Sequence, residues 1–200
     1  MTEKGKLIVI SGPSGAGKST VVFKAIGNRQ DICFSTSVTT RQPRPGEVDG
    51  REYFFISPER FQEMVEKDEL LEHATYVSHS YGTPRAYVTE KLNAGMNVIL
   101  DIEVQGARQV RQKLPEAVLI FIIPPSLEEL RRRLEGRGTD SPEAIRGRLE
   151  RARQEYAEAD FYDYILVNDD LEEAGRQFEA ILTAEHLRAK DRMELLRTED

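Results

Sequence analysis

The stretch "LIVISGPSGAGKST", residues 7–20, constrains this chain more than any other. Four apolar and mostly β-branched residues read as a buried strand, "STVVFKAI" can open a helix, and a glycine-rich turn joins the two. From Gly12 to Ser19 the turn satisfies G-x-x-x-x-G-K-[ST] in full. Gly15 and Gly17 let the backbone turn tightly and aim successive N–H groups inward, with Lys18 placed for the β- and γ-phosphates and Ser19 for Mg²⁺. Gly12, Pro13, Ser14, Ala16 and Thr20 complete the run that would cradle ATP or GTP. A strand that feeds a helix through such a turn commits the chain to an α/β fold.

The rest of the sequence agrees. Strand candidates at Leu7–Ile10, Ile32–Val38, Val98–Leu100, Leu119–Ile123 and Tyr164–Val167 alternate with helically spaced segments such as Phe61–Lys67 and Leu127–Leu134. The expected fold is an open, mainly parallel sheet flanked by helices, of the P-loop NTPase type, with ligands at the carboxyl ends of its strands. Two stretches interrupt it. Residues 37–90, with "RQPRPGE" and Gly82–Thr83–Pro84, read as an insertion with its own small sheet. Residues 126–159 are helical and arginine-rich, broken at Gly136 and Gly138 and restarted by Ser141 and Pro142, which makes a hinged lid. Residues 1–36, 91–125 and 160–200 are left as one core. Phe178, Ile181 and Leu182 mark a packing helix near the C-terminus.

Composition narrows the function. A net charge of −7 over 200 residues argues against nucleic acid as the main partner. The lone Cys33, read as a small core residue, permits no internal disulfide and fits a reducing compartment. No run reaches membrane-span length and residues 1–6 lack a signal-peptide core, so a cytoplasmic protein is expected. His73, His79 and His186 have no ligand spacing and are expected to be non-catalytic.

A phosphate loop names no acceptor. No N-K-x-D for reading guanine in a GTPase occurs; "VNDD" at 167–170 lacks the lysine. Arg41 and Arg44, stiffened by neighbouring prolines, could fork onto a second phosphate with the hydroxyls of Tyr53 and Tyr81. For two arginines alone, a solvated basic loop is the better account.

Taken together, "FSTSVTTRQPRPGEVDGREYFF", "LLEHATYVSHSYGTPR", "VILDIEVQGA", "IFIIPPSLEELRRRLEGRGTD" and "VNDD" resemble the guanylate kinase family, from about Lys6 to about Ile181. The resemblance implies ATP and GMP as partners, Mg²⁺ as cofactor, and a GDP product that serves purine metabolism and GTP supply. It implies that Ser37 and Thr83 donate to guanine O6 and that Glu72 accepts from N1 and N2, whereas adenine presents the opposite pattern. Arg41, Arg44, Tyr53 and Tyr81 would hold the GMP phosphate. Asp101, at the end of a buried strand, would orient the GMP site or a water on Mg²⁺, and Asn168 would sit beside the ATP adenosine. Arg137 and Arg148 on the lid would neutralise the transferring phosphoryl, while Arg131 and Arg132 belong to a solvated helix face. Glu103 stands where the family commonly has aspartate, and Thr83 where it has serine.

Three other readings compete. Guanylate-kinase-like scaffold modules reuse the GMP site for phosphopeptides, but usually with a degraded phosphate loop and adjoining domains. A kinase for another nucleoside monophosphate would not need Glu72 with Ser37 and Thr83. At single positions, Glu72 could be an ordinary exposed carboxylate, although "ELLEHATY" gives it an apolar flank, and Asp101 could simply cap its strand.

Overall fold

The computed structural model describes residues 4–27, 29–76, 78–138 and 140–196. In chain order the elements are β1 (Leu7–Ser11), α1 (Lys18–Ile26), β2 (Ile32–Phe34), β3 (Ser37–Thr39), β4 (Tyr53–Phe55), α2 (Pro58–Glu66), β5 (Leu70–Tyr76), β6 (His79–Pro84), α3 (Arg85–Asn93), β7 (Asn97–Asp101), α4 (Val104–Lys113), β8 (Val118–Ile123), α5 (Leu127–Gly136), α6 (Pro142–Ala157), β9 (Tyr164–Val167) and α7 (Leu171–His186). The chain divides into two compact units: Met1–Ser11 with Gln30–Leu119, and Gly12–Arg29 with Ile120–Asp200.

In the first unit, β7 pairs in parallel with β2 on one side and β1 on the other. Every residue of β1 is buried, and β7 is buried up to Asp101, whose side chain emerges into solvent. This is the continuous apolar pattern of strands covered on both faces, rather than an alternating one. A second sheet of order β4-β3-β6-β5 has β3 and β4 parallel and its other pairs antiparallel. Its apolar face buries Val38 and Leu70 against Phe61 and Met64 of α2. Ser57 caps α2 by accepting from the Arg60 N–H, and Pro58 occupies the first turn, a start signal three residues earlier than the periodicity of Phe61–Lys67 implies.

In the second unit, β8 and β9 pair in parallel over Ile120–Ile123 and Tyr164–Val167, and α1 packs on α7. Helices α5 and α6 bury Leu130, Leu134, Ile145, Leu149 and Ala152 against one another. At about 1.5–3 kcal/mol for each large apolar side chain taken out of water, that seam alone holds the helical pair together. Ser126, Ser141 and Asp170 each cap the helix that follows by accepting a backbone N–H. Within α7, Phe178 and Leu182 are buried and Ile181 is partly so. No helix among the described residues is long and apolar enough to cross a membrane.

Two expectations need correction. Ile32–Val38 is not one strand: β2 ends at Phe34 beside β7, and β3 begins at Ser37 in the other sheet. The Ser35–Thr36 step redirects the chain between sheets, with the Ser35 N–H still bonded to the Ile99 carbonyl. A continuous β-prone run conceals such a switch, because propensity does not say which partner a strand will find. Cys33 is half-buried in β2 rather than part of the core, with its thiol pushed up by partial desolvation.

Candidate active site

The turn after β1 is a nest of backbone donors. Gly12, Gly15 and Gly17 all have positive φ, at 142°, 100° and 85°. At two of them the fold leaves no room for a side chain. A Cβ on Gly12 would overlap the Ile122 carbonyl, and one on Gly17 would overlap the Asn168 amide. The Ala16 N–H closes the turn onto the Pro13 carbonyl at 3.0 Å. Lys18, at the start of α1, donates from Nζ to the Gly12 carbonyl at 2.8 Å, so its ammonium lies over the loop. Ser19 and Thr20 follow, exposed in the first turn of α1, where N–H groups and the helix dipole favour an anion.

The same unit supplies the loop's supports. Arg148 of α6 donates to the Ser14 hydroxyl at 2.8 Å and pairs with Asp140 at 3.1 Å. Arg137 lies exposed just beyond α5. Asn168 is buried, and its Nδ2 donates to the Ala16 carbonyl at 2.8 Å, so the amide braces the underside of the loop. Arg133 is the residue that motif reading missed. Its Nη2 donates to the Asn168 carbonyl at 2.8 Å, its Nη1 reaches toward the Ala16 carbonyl at 3.4 Å, and its Nε holds Glu129 at 2.8 Å. Hydrogen bonds from Arg132 and Arg133 hold the Glu129 carboxyl down at about 2. Among three consecutive arginines, only the helical phase relative to Leu130 and Leu134 could have singled out Arg133.

The first unit builds the other half. At the end of β7 a cavity of about 150 Å³ is lined by Ser37, Tyr53, Thr83 and Asp101, with Ser35 among its walls. Beside it Glu72 is only 5% exposed, a buried carboxylate as its apolar flank suggests. The Thr83 hydroxyl donates to Glu72 Oε1 at 2.6 Å. Burial raises the Glu72 carboxyl above the usual carboxylate range, offset in part by that hydrogen bond and by the charge of Lys113. Glu103, at the start of α4, adds a like charge that raises it further.

Three unheralded residues seat Glu72. Gly106 of α4 leaves the space its carboxylate uses, since a Cβ there would lie 2.8 Å from Oε2. Gln109 exchanges two hydrogen bonds with the backbone of His73, at 3.1 and 2.9 Å, and fastens β5 to α4. Lys113 donates to the Leu70 carbonyl at 2.7 Å.

Arg41 lies across the rings of Tyr53 and Phe55, its guanidinium carbon 5.5 and 5.7 Å from their centroids. The Tyr53 and Tyr81 rings meet edge to face at 5.9 Å. The unit thus gathers Arg41, Tyr53 and Tyr81, while Arg44 contributes its backbone N–H to Glu47 and leaves its side chain exposed. Among the described residues, no group of three or more His, Cys, Asp or Glu could hold a metal unaided.

A parallel strand, a glycine-rich nest and a helix in succession define a P-loop α/β protein. A family model described as "Guanylate kinase" matches residues 4–185. A guanylate kinase of Streptococcus thermophilus is 53% identical over 192 residues, which span 95% of this chain and 91% of that protein. One of Thermus thermophilus is 54% identical over 186 residues, 93% of this chain and 84% of that protein. The crystal structure of guanylate kinase from Anaplasma phagocytophilum superposes with a TM-score of 0.72 at 34% identity, covering 100% of this chain and 99% of that one. The chain belongs to the guanylate kinase family.

Proposed function

We propose that this protein transfers the γ-phosphoryl group of ATP to GMP, reversibly, giving ADP and GDP and so supplying the route to GTP. The observation that carries the base assignment is Glu72. A buried carboxylate whose charge is disfavoured by its surroundings is costly unless a ligand brings donors to it. Guanine N1–H and N2–H are such donors. A base that lacks them leaves the carboxylate unpaired, which favours discrimination on the order of 10⁴. Ser37 and Thr83 supply hydroxyls for O6, and the Thr83 proton, held on Glu72 in the free protein, turns to the base. Glu103 and Asp101 complete the acceptor pocket.

The donor is held by residues 12–20, with Lys18 on the β- and γ-phosphates and Asn168 fixing the loop near the adenosine. Arg41, Arg44, Tyr53 and Tyr81 take the acceptor phosphate, while Arg137 and Arg148 neutralise charge on the group in flight. The attacking atom is already a phosphate oxygen, so no strong general base is required and catalysis rests on positioning and electrostatics. The Ser19 hydroxyl, a hard oxygen at the head of α1, fits Mg²⁺ whose other ligands come from ATP and water. When bound there, Mg²⁺ would supply positive charge to offset that of the phosphates. In this reading residues 37–90 form the acceptor insertion and residues 126–159 the lid on a core made of the remainder. The free thiol Cys33 fits a reducing cytoplasm.

Phosphorus NMR of a mixture of ATP, GMP and Mg²⁺ tests the reading. The β-phosphorus signal of GDP should grow as the γ-signal of ATP falls. ATP lost to inorganic phosphate with no GDP would refute it.

A further inference from the structure

The loop that carries Arg41 holds a carboxylate that the reaction does not use. Glu47 accepts from Arg41 Nη2 on Oε1 at 2.8 Å and from Arg41 Nη1 on Oε2 at 2.9 Å. Oε2 also accepts the Arg44 N–H at 2.7 Å, and the Glu47 N–H closes the turn onto the Arg44 carbonyl at 3.0 Å. The pair is sheltered, with 11% of the Arg41 side chain and 18% of the Glu47 side chain exposed. Hydrogen bonds from Arg41, then from the Arg44 backbone, keep the Glu47 carboxyl below the usual range.

What matters is which donors of Arg41 remain. A guanidinium has five N–H groups. Nη1 is fully used, by Glu47 and by the Gln42 carbonyl at 2.8 Å. Nη2 gives one hydrogen to Glu47. The Nε–H and the outer Nη2–H share the edge that Glu47 does not occupy, and the Tyr81 hydroxyl also hydrogen-bonds the guanidinium. That Nε/Nη2 edge is the one that forks onto a phosphate. A phosphate can therefore dock on Arg41 without displacing Glu47. The carboxylate takes the end of the guanidinium, the aromatic rings take its face, and the side edge is left for the ligand.

Building on the reaction proposed above, we infer that Glu47 is a positioning residue for the acceptor phosphate. It holds Arg41 by the terminal nitrogens and the Arg44 backbone by its N–H, so that both basic residues present one anion site. It touches no reacting atom. The opposite role, a built-in competitor that GMP must expel, would require the carboxylate to sit on the Nε/Nη2 edge.

The test compares wild type with Glu47→Gln and Glu47→Asp in steady-state kinetics, and in calorimetric binding of GMP and of guanosine, which lacks the phosphate. Replacing the carboxylate by an amide turns one acceptor into a donor facing Nη2. GMP affinity should fall, and KM for GMP rise, by about tenfold or more, the scale of one charge-assisted hydrogen bond. KM for ATP and the affinity for guanosine should stay within about twofold. The Asp variant should recover part of the GMP affinity, and melting temperatures should differ little because the loop is peripheral. A lower KM for GMP in Glu47→Gln would establish the competitor role and overturn the inference. Unchanged GMP affinity, or an equal loss for guanosine, would also overturn it. If wild type makes no GDP while GMP still binds and responds to Glu47, the proposed reaction fails and the anion site stands.

Discussion

On the proposed reading, two loops of this protein solve the same electrostatic problem, the binding of an anion, with different materials. The loop at residues 12–19 uses backbone N–H groups aimed by three glycines at positive φ, and needs few side chains beyond Lys18. The loop at residues 41–47 uses side chains, a guanidinium gripped by Glu47 within the loop and laid over two rings that lie beyond it. The first follows from the backbone of one glycine-rich turn between a strand and a helix. The second exists only because a separate small sheet brings Tyr53 and Tyr81 alongside Arg41. Breaking the first should therefore affect chemistry at a preformed cradle, and breaking the second should affect recognition.

The largest effect expected is at the donor loop. Lys18→Ala removes the ammonium that lies over the cradle, and turnover should drop by about 10³-fold or more, the scale of a lost transition-state charge. GMP binding measured by calorimetry should be unaltered, because the acceptor pocket is built elsewhere. Comparable GDP formation by the variant would remove Lys18 from the mechanism.

Next in size is Glu72→Gln, which should raise KM for GMP by about 10²-fold. It should at the same time make the free protein more stable. Folding raises the Glu72 pKa above its unfolded value, so its contribution to stability is present below the unfolded pKa of about 4.3 and is lost as pH rises through the folded pKa. Above the folded pKa of Glu72 the wild type carries a buried charge, and the variant does not. Differential scanning calorimetry should find the variant melting a few degrees higher in that range, roughly 2–4 °C for each kcal/mol in a chain of this size. The gain should vanish near about pH 4. A variant less stable at every pH would mean that Glu72 is a structural acid rather than a ligand-facing one.

Arg133→Met should have a smaller, one-sided effect. It unties the Asn168 carbonyl from α5 and loosens the floor of the donor loop, so KM for ATP should rise by about tenfold while KM for GMP holds. Equal shifts in both constants would make Arg133 a general stabiliser. Smallest of all is a pH effect at Glu129, whose folded pKa is depressed. Its contribution to stability is present above about pH 4.3 and is lost as pH falls toward about 2. Acid melting curves of Glu129→Gln should lack that component, and identical curves would show that the Arg132 and Arg133 contacts are offset by solvent.

The same contrast governs how much of each loop is legible in the amino-acid sequence. The donor loop can be read directly because its glycines, lysine and serine are contiguous and each follows from backbone geometry. The alternation of apolar runs and helical spacing likewise gives the parallel strands, with ends shifted by at most one residue except at Ile32–Val38, which joins two strands into one. The acceptor side is legible only by resemblance for Ser37, Glu72 and Thr83, which lie on three strands. Glu47, Gln109, Gly106 and Arg133 carry no local signal. They matter through where a guanidinium edge, a strand edge or a carboxylate finds itself after folding, and one short switch at Ser35–Thr36 decides that β2 and β3 join different sheets.

The central claim is that this chain phosphorylates a nucleoside monophosphate chosen by a buried carboxylate. The most direct measurement is ADP release from ATP with GMP, AMP, CMP and UMP in parallel, for wild type and Glu72→Gln. In the wild type kcat/KM for GMP should be at least about 10³-fold above that for AMP, and the ratio should collapse in the variant. Equal or better use of AMP by the wild type would contradict the claim.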